Sequence, residues 1–176
     1  MELLDLYDYQ RRPTGKTMVR GDEHPEGMYP PVVHIVIFRP DGRMLIQQRQ
    51  SFKKGWPNYW DISVGGSAQT GEDSPTAAMR ETREELGLTV DLTGRRPTLT
   101  NCSGGAFDDV YILELPVELS ELRLQPEEVQ SAAFATQEEI FAMIDDGRFI
   151  PYLKSFIMLL FDLHRRGGMV DRSKKK

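Results

Sequence analysis

Between Gly65 and Leu88 the sequence reads "GGSAQTGEDSPTAAMRETREELGL", and its punctuation predicts one helix. Asp73 or Ser74 is a good N-cap, Pro75 suits the first turn, and Gly87 ends the helix after Leu86. At roughly 100° per residue, Pro75, Ala78, Met79, Thr82 and Leu86 fall on one stripe. Glu81, Glu84 and Glu85 fall on a second stripe roughly 120° away. One face is built to pack and the next carries charge. Arg80 can reach Glu84 at i,i+4, but Glu81 and Glu85 are like charges at the same spacing and repel. Glu/Arg-rich faces are ordinarily solvated. Here a bound divalent cation would turn the repulsion into coordination.

The helix needs an apolar partner, and the rest of the chain supplies one. Apolar, β-branched runs predict strands over Thr14 to Arg20, Val32 to Arg39, Met44 to Gln48 and Asp61 to Val64, then Leu92 to Leu99, Asp109 to Glu114 and Val129 to Phe134. "RPDGR" between the second and third has the chemistry of a hairpin turn. Further helices are expected over Gln137 to Asp146 and Tyr152 to Arg165. Such a mixture predicts an α/β domain, α+β by some schemes, with helices against a mixed sheet.

Composition excludes several classes of function. With 176 residues, 39% of them hydrophobic, and no repeat or low-complexity linker, the chain reads as a single domain over residues 1–176. No apolar run approaches the ~20 residues that span a membrane, and the start "MELLDLYDYQRR" lacks the pattern of a signal peptide. The lone Cys102 forms no intramolecular disulfide, which fits a reducing cytoplasm. A net charge of -5 argues against nucleic acid or an anionic membrane as partner, and the basic tail over about 167–176 is expected to fray.

Mg²⁺ takes one or two protein carboxylates plus water and substrate phosphates, so the three helix acids suffice for at least one ion. Gly65 and Gly66 allow the backbone to turn sharply and approach a ligand, with a carbonyl available to the metal.

These residues carry a resemblance. Gly66, five residues, Glu72, seven residues, then Arg80-Glu81, Glu84-Glu85 and Gly87-Leu88 resemble the Nudix box of the Nudix hydrolases. A chance match is on the order of 10⁻⁶ or less at average residue usage. The one departure is Thr82, where the box carries a bulky aliphatic residue. Its hydroxyl is expected to bond the carbonyl four residues back at small cost. The resemblance implies a Nudix-type α/β/α sandwich with a mixed β-sheet. It also implies Mg²⁺ or Mn²⁺ as cofactor, and hydrolysis of a nucleoside diphosphate, or another diphosphate, linked to a second group. Carried over by position, Glu81, Glu84 and Glu85, with Gly66, would bind the metal. Arg80 would orient the acids through ion pairs, and Glu72 would support them or complete the metal shell. The general base varies across the family; Glu84 or Glu85 is one choice, and Glu127 or Glu128 in "QPEEV" another.

Outside the box, "KKGWPNYWDISVGG" and "DLYDYQRRPTGKTMVRG" are similar to isopentenyl-diphosphate isomerase, so the likeness covers roughly Leu4 to Tyr152. That rival acts by protonation and deprotonation. Its catalytic cysteine stands immediately before the box glycine and a metal-binding histidine directly after it, where this chain has Gly65 and Ser67. A third reading is a catalytically silent Nudix ligand sensor, but such domains commonly lack acids of the box, and here every acid is kept.

The remaining candidates are weighed against simpler roles. Trp56, Tyr59 and Trp60 are candidates to stack on substrate, although such aromatics more often fill a core. Lys53 and Lys54 are candidate phosphate contacts, although exposed lysines are usually just solvated. Glu128 is a further substrate-side candidate. His34 in "VVHIVIF" reads as a satisfied, partly buried histidine, His24 and His164 have no evident partner, and Cys102 reads as a packing residue. N-terminal strands in about residues 1–30 are a place where two copies could pair as a homodimer.

Overall fold

The computed structural model describes residues 2–168 and 170. In chain order it contains β1 (Leu3–Tyr7), β2 (Pro13–Val19), β3 (Pro31–Phe38), β4 (Met44–Arg49), β5 (Trp60–Asp61), β6 (Val64–Ser67), α1 (Ser74–Leu86), β7 (Leu99–Ser103), β8 (Ala106–Glu114), β9 (Val129–Ala135), α2 (Gln137–Asp145) and α3 (Lys154–Arg166). The fold is mixed α+β, with a mixed sheet and three helices. A two-stranded ribbon joins β1 to β2, and a seven-stranded sheet runs β5-β4-β3-β8-β7, with β6 beside β3 and β9 beside β4. No helix among the described residues is long and apolar enough to cross a membrane.

The chain divides into two compact units. The first comprises Met1–Ile35, Gly65–Glu84 and Leu88–Tyr111. Leu4, Leu6, Val33, Ile35, Ala77 and Ala78 are among its buried core residues; of the stripe predicted on α1, Ala78, Thr82 and Leu86 are buried and Pro75 and Met79 half-buried, while Ala77, off the stripe, is buried as well. The β1–β2 ribbon pairs Leu3 with Val19 and Tyr7 with Pro13; β1 lies in the N-terminal strand region expected over about residues 1–30, although no span was predicted for it.

The strand expected over Leu92 to Leu99 is not formed; β7 begins only at Leu99. The run is broken by a turn in which Arg95 N–H donates to the Leu92 carbonyl and Gly94 has φ +68°. Pro97 also removes a ladder donor. The strand pairing comes later, where β7 and β8 run antiparallel from Leu99↔Val110 to Ser103↔Ala106. Gly104 and Gly105 both have positive φ, the requirement of a two-residue hairpin loop.

The second unit comprises Val36–Val64, Glu85–Gly87 and Ile112–Lys176. The expected hairpin at Asp41-Gly42 is present: Gly42 N–H donates to the Arg39 carbonyl at 2.9 Å, and Phe38 pairs with Met44. β4 pairs antiparallel with β9 from Met44↔Ala135 to Arg49↔Val129, and with β5 through Gln47↔Asp61. On α3, Ile157, Leu160 and Phe161 are buried, and Phe161 meets Phe38 edge to face at 4.9 Å. His164 stacks on Phe38 at 4.1 Å and bonds Glu114 at 2.8 Å through Nε2, giving it the partners that the sequence alone did not reveal.

The single strand expected over Asp61 to Val64 is instead the pair β5 and β6, interrupted at Ile62 and Ser63. The buried Ser63 hydroxyl accepts from Ile37 N–H at 2.8 Å and donates to the Leu45 carbonyl at 2.6 Å. A side chain thus makes the bonds a strand backbone would have made. The expectation for the basic tail falls largely on residues 171–176, which lie outside the described residues.

Candidate functional site

The acidic helix is set by its cap. Asp73 Oδ1 accepts from Thr76 N–H at 3.0 Å, and the Asp73 carbonyl accepts from Ala77 N–H at 3.0 Å, so Asp73 is the N-cap. The Ser74 hydroxyl bonds the Tyr111 hydroxyl at 2.8 Å. Thr82, inside the packing stripe, donates to the Ala78 carbonyl at 2.7 Å, which satisfies its buried hydroxyl.

Arg80 organises the acids of the first unit. Its Nε donates to Glu72 Oε1 at 2.8 Å and one terminal nitrogen to Glu72 Oε2 at 2.9 Å. The same terminal nitrogen bonds the Ser67 carbonyl at 3.0 Å. The other reaches Glu81 Oε1 at 2.9 Å and Glu84 Oε2 at 3.0 Å. Bidentate charge-assisted bonds are among the strongest side-chain contacts. Burial pushes the Glu72 carboxyl up, but the Arg80 bonds and the Gln69 N–H outweigh it and hold its pKa below the ordinary value. The guanidinium pKa is raised in turn, first by its bond to Glu72. Glu81 is buried, and that burial, larger than the pull of Arg80, raises its pKa.

Gly66 lies directly against Glu81. A Cβ built on Gly66 would stand 2.1 Å from the Glu81 carboxyl carbon and Oε1, so a side chain is excluded here and the backbone approaches the acid closely. Among the described residues no three His, Cys, Asp or Glu side chains are gathered as a ready metal cluster. Arg80 stands among Glu72, Glu81 and Glu84 instead. The donor set still suits a hard divalent cation: carboxylate oxygens, with a glycine cradle that a Cβ would fill.

In the second unit Glu85 is buried and accepts from Gln47 Nε2 at 2.9 Å. Gln47 was not singled out in the sequence; a glutamine inside the apolar strand run "MLIQQR" is the signal that marks it. The helix end is locked here, since Gly87 (φ +71°) leaves room for Arg123, whose Cβ would be 2.7 Å from a Cβ on Gly87. Glu128 is ion-paired with Lys53. Its carbonyl accepts from Gln50 N–H at 3.0 Å. Lys54 is exposed. Trp56, at φ +51°, is half exposed and packs edge to face on Tyr59 at 5.2 Å. Trp60 is tied through its backbone to Arg148 and Ile150, and lines an open groove of about 370 Å³ with Ile46, Phe134 and Met143.

Three polar arrangements of the first unit escaped the sequence reading. Asp109, fully buried, pairs with Arg11 and accepts from the Thr100 hydroxyl at 2.6 Å. His34 is only half satisfied: Nε2 bonds Asp108 at 3.2 Å, but Nδ1 is buried and without a hydrogen-bond partner among the described residues. His24 lies against Gly105, where a Cβ would be 2.1 Å from its Nε2. Cys102 is half buried on β7, opposite Phe107.

Comparison with known proteins shows the family. The NUDIX domain family matches residues 28–153. An uncharacterized Nudix hydrolase of Listeria monocytogenes is 47% identical over 163 residues, covering 93% of this chain and 95% of its own. The isopentenyl-diphosphate Delta-isomerase of Cutibacterium acnes is 33% identical over 65% of this chain and 62% of its own. The crystal structure of DR0079 from Deinococcus radiodurans superposes with a TM-score of 0.72 at 25% identity, covering 90% of this chain and 97% of that one. The match spans the residues grouped around Arg80, and this chain belongs to the Nudix hydrolases, enzymes that act on pyrophosphate bonds.

Proposed function

We propose that the chain is a divalent-cation-dependent pyrophosphohydrolase that cleaves the diphosphate of a nucleoside diphosphate linked to a second group, or of a related organic diphosphate. The single observation that carries this reading is the Arg80 fork, which holds Glu72 and joins Glu84 to Glu81, the acid that lies against Gly66. Glu81, Glu84 and Glu85, which share α1, would hold Mg²⁺ or Mn²⁺ together with the Gly66 carbonyl. When bound, the cation would neutralise diphosphate charge and favour attack of water on phosphorus.

The chain's own residues then divide the remaining tasks. Arg80 keeps Glu72 ionised and restrains the rotamers of Glu81 and Glu84. Water adds to phosphorus, the bridging P–O bond breaks, and the bridging oxygen leaves with its electron pair on the departing phosphate. A carboxylate takes the water proton. We assign that role to Glu84, whose side chain is 43% exposed although Arg80 bonds it; Glu85 is buried on Gln47, and Glu128, ion-paired with Lys53, is less exposed. Trp56, Trp60 and Lys54 are read as the substrate side.

The family match runs from residue 28 to residue 153, which supports one Nudix domain over residues 1–176 with an N-terminal extension. A cytoplasmic location and pairing of the β1–β2 ribbon in a homodimer complete the proposal, the latter tested by mass in solution. The decisive experiment is a Mg²⁺-dependent hydrolysis screen over nucleotide sugars, dinucleotides, nucleoside triphosphates and prenyl diphosphates, repeated with Glu84→Gln/Glu85→Gln. Undiminished turnover in that double variant sinks the assignment. Interconversion of isopentenyl and dimethylallyl diphosphate at an enzymatic rate would favour the isomerase reading.

A further inference from the structure

Gln47 is a buried polar side chain that the reaction described above does not use. It lies on β4, whose first three residues, Met44, Leu45 and Ile46, all belong to the core. In such a run an apolar residue packs at no polar cost, whereas a buried amide is costly unless its donors and acceptor are bonded. Gln47 is 3% exposed, and its Oε1 is buried with no hydrogen-bond partner among the described residues. Its Nε2 donates to Glu85 Oε2 at 2.9 Å. An acid that binds a cation is ionised, and a carboxylate offers only acceptors, so the amide turns its NH₂ to Glu85 and its oxygen away. The residue thus forgoes one buried bond and keeps the one to the acid. An incompletely satisfied buried group is a poor device for stability and a common one at functional sites.

Both ends of that bond are anchored. Gln47 sits inside the sheet, paired with Asp61 of β5 and with Ala132 of β9. At the other end the last turn of α1 is tied down: the Glu85 carbonyl accepts from Gln125 N–H at 3.0 Å, and the Leu86 carbonyl from Arg123 N–H at 2.9 Å. With both backbones fixed, the amide selects one orientation of the Glu85 carboxylate. In the first unit Arg80 does this for Glu72, Glu81 and Glu84. An arginine brings a positive charge that competes with an ion for the same oxygens. A neutral amide orients an acid and leaves its full charge for the ion.

We infer that Gln47 is a positioning residue of the cation site, acting through Glu85: its amide holds the carboxylate in the orientation that receives the ion. This rests on the cation-dependent hydrolase reading above, in which Glu85 is a ligand. Groups that orient metal-binding side chains are worth about 10–100-fold in metal affinity.

The test measures Mn²⁺ affinity of the full chain without substrate, by titration calorimetry. Gln47→Met keeps the volume and removes the donor, and should weaken Mn²⁺ binding about tenfold with the fold retained by circular dichroism. Gln47→Asn keeps the amide but draws it back by one methylene, and should weaken binding in the same direction; it carries the test if Gln47→Met does not fold. Ile46→Val is the control for a general loosening of β4. Ile46 adjoins Gln47 but points to the opposite face, so loss of its methylene should lower the melting temperature and leave Mn²⁺ affinity within about twofold. Unchanged affinity in either folded Gln47 variant, or an equal loss in Ile46→Val, overturns the inference and leaves the hydrolase reading standing. A wild-type chain that binds no Mn²⁺ removes the cation-dependent reading itself, and this inference with it.

Discussion

Arg80 grips Glu72 at two points, Nε to Oε1 at 2.8 Å and a terminal nitrogen to Oε2 at 2.9 Å, across the loop that precedes α1. A lysine at this position would keep the charge and lose the planar fork. Arg80→Lys should lower kcat about 10–100-fold and weaken cation binding by a similar factor, the usual cost of losing a group that orients metal-binding acids. Steady-state kinetics and Mn²⁺ titration measure both, and circular dichroism should show the fold retained. A variant with wild-type kcat would separate Arg80 from the reaction.

Gly66→Ala forces a methyl group into the Glu81 carboxylate. Overpacking of this kind costs about 1–3 kcal/mol. The expected result is a lower melting temperature together with loss of cation affinity, read by calorimetry with Mn²⁺. Retained affinity would show that the close approach of the two residues has no part in holding the ion.

Glu84→Gln and Glu128→Gln distinguish the two candidate bases. If Glu84 accepts the proton, its substitution should lower kcat about 10²–10⁴-fold, the typical contribution of general base catalysis. Glu128→Gln, which only releases Lys53, should leave kcat within about threefold, in keeping with a partly exposed ion pair. The reverse order of effects would move the base to the loop before β9.

Acid stability should report on Asp109. Burial pushes its pKa up, but bonds from Arg11, Ser74 and Thr100 outweigh burial and hold it below the ordinary aspartate value. A lowered folded-state pKa means stability that is fully present above the unfolded value, roughly 3.9, and lost as pH falls through the folded value. Urea denaturation between pH 5 and 2 should show a steeper loss for wild type than for Asp109→Asn. Equal slopes would mean that the pair does not contribute to acid sensitivity.

The acidic helix was legible in the sequence because its signals are local. Asp73, Pro75 and Gly87 punctuate it, and a 3.6-residue period separates Ala78 and Leu86 from Glu81 and Glu85. Even the Thr82 bond to Ala78 follows from its place inside that period. The hairpin at Gly42 was legible for the same reason.

What escaped depends on partners far away in sequence. Nothing near His34 announces Asp108, and nothing near Arg11 announces Asp109; only the register of strands brings them together. β7 was placed too early because the alternation of Leu92 to Leu99 looks like a strand, whereas Gly94 and Pro97 turn the chain. The Gly104-Gly105 loop was the better guide to where pairing begins.

The bonds around Arg80 have a further consequence. A guanidinium offers five N–H donors, and here Nε and the two terminal nitrogens meet both Glu72 oxygens, the Ser67 carbonyl, Glu81 and Glu84. The residue makes four hydrogen bonds and one further ion pair within the protein. An incoming anion meets a positive charge already committed to three acids, and can win Arg80 only by prising it from one of them. The guanidinium is thus committed to the protein's own acids, and the divalent cation proposed above would bring the charge that it cannot lend to a substrate.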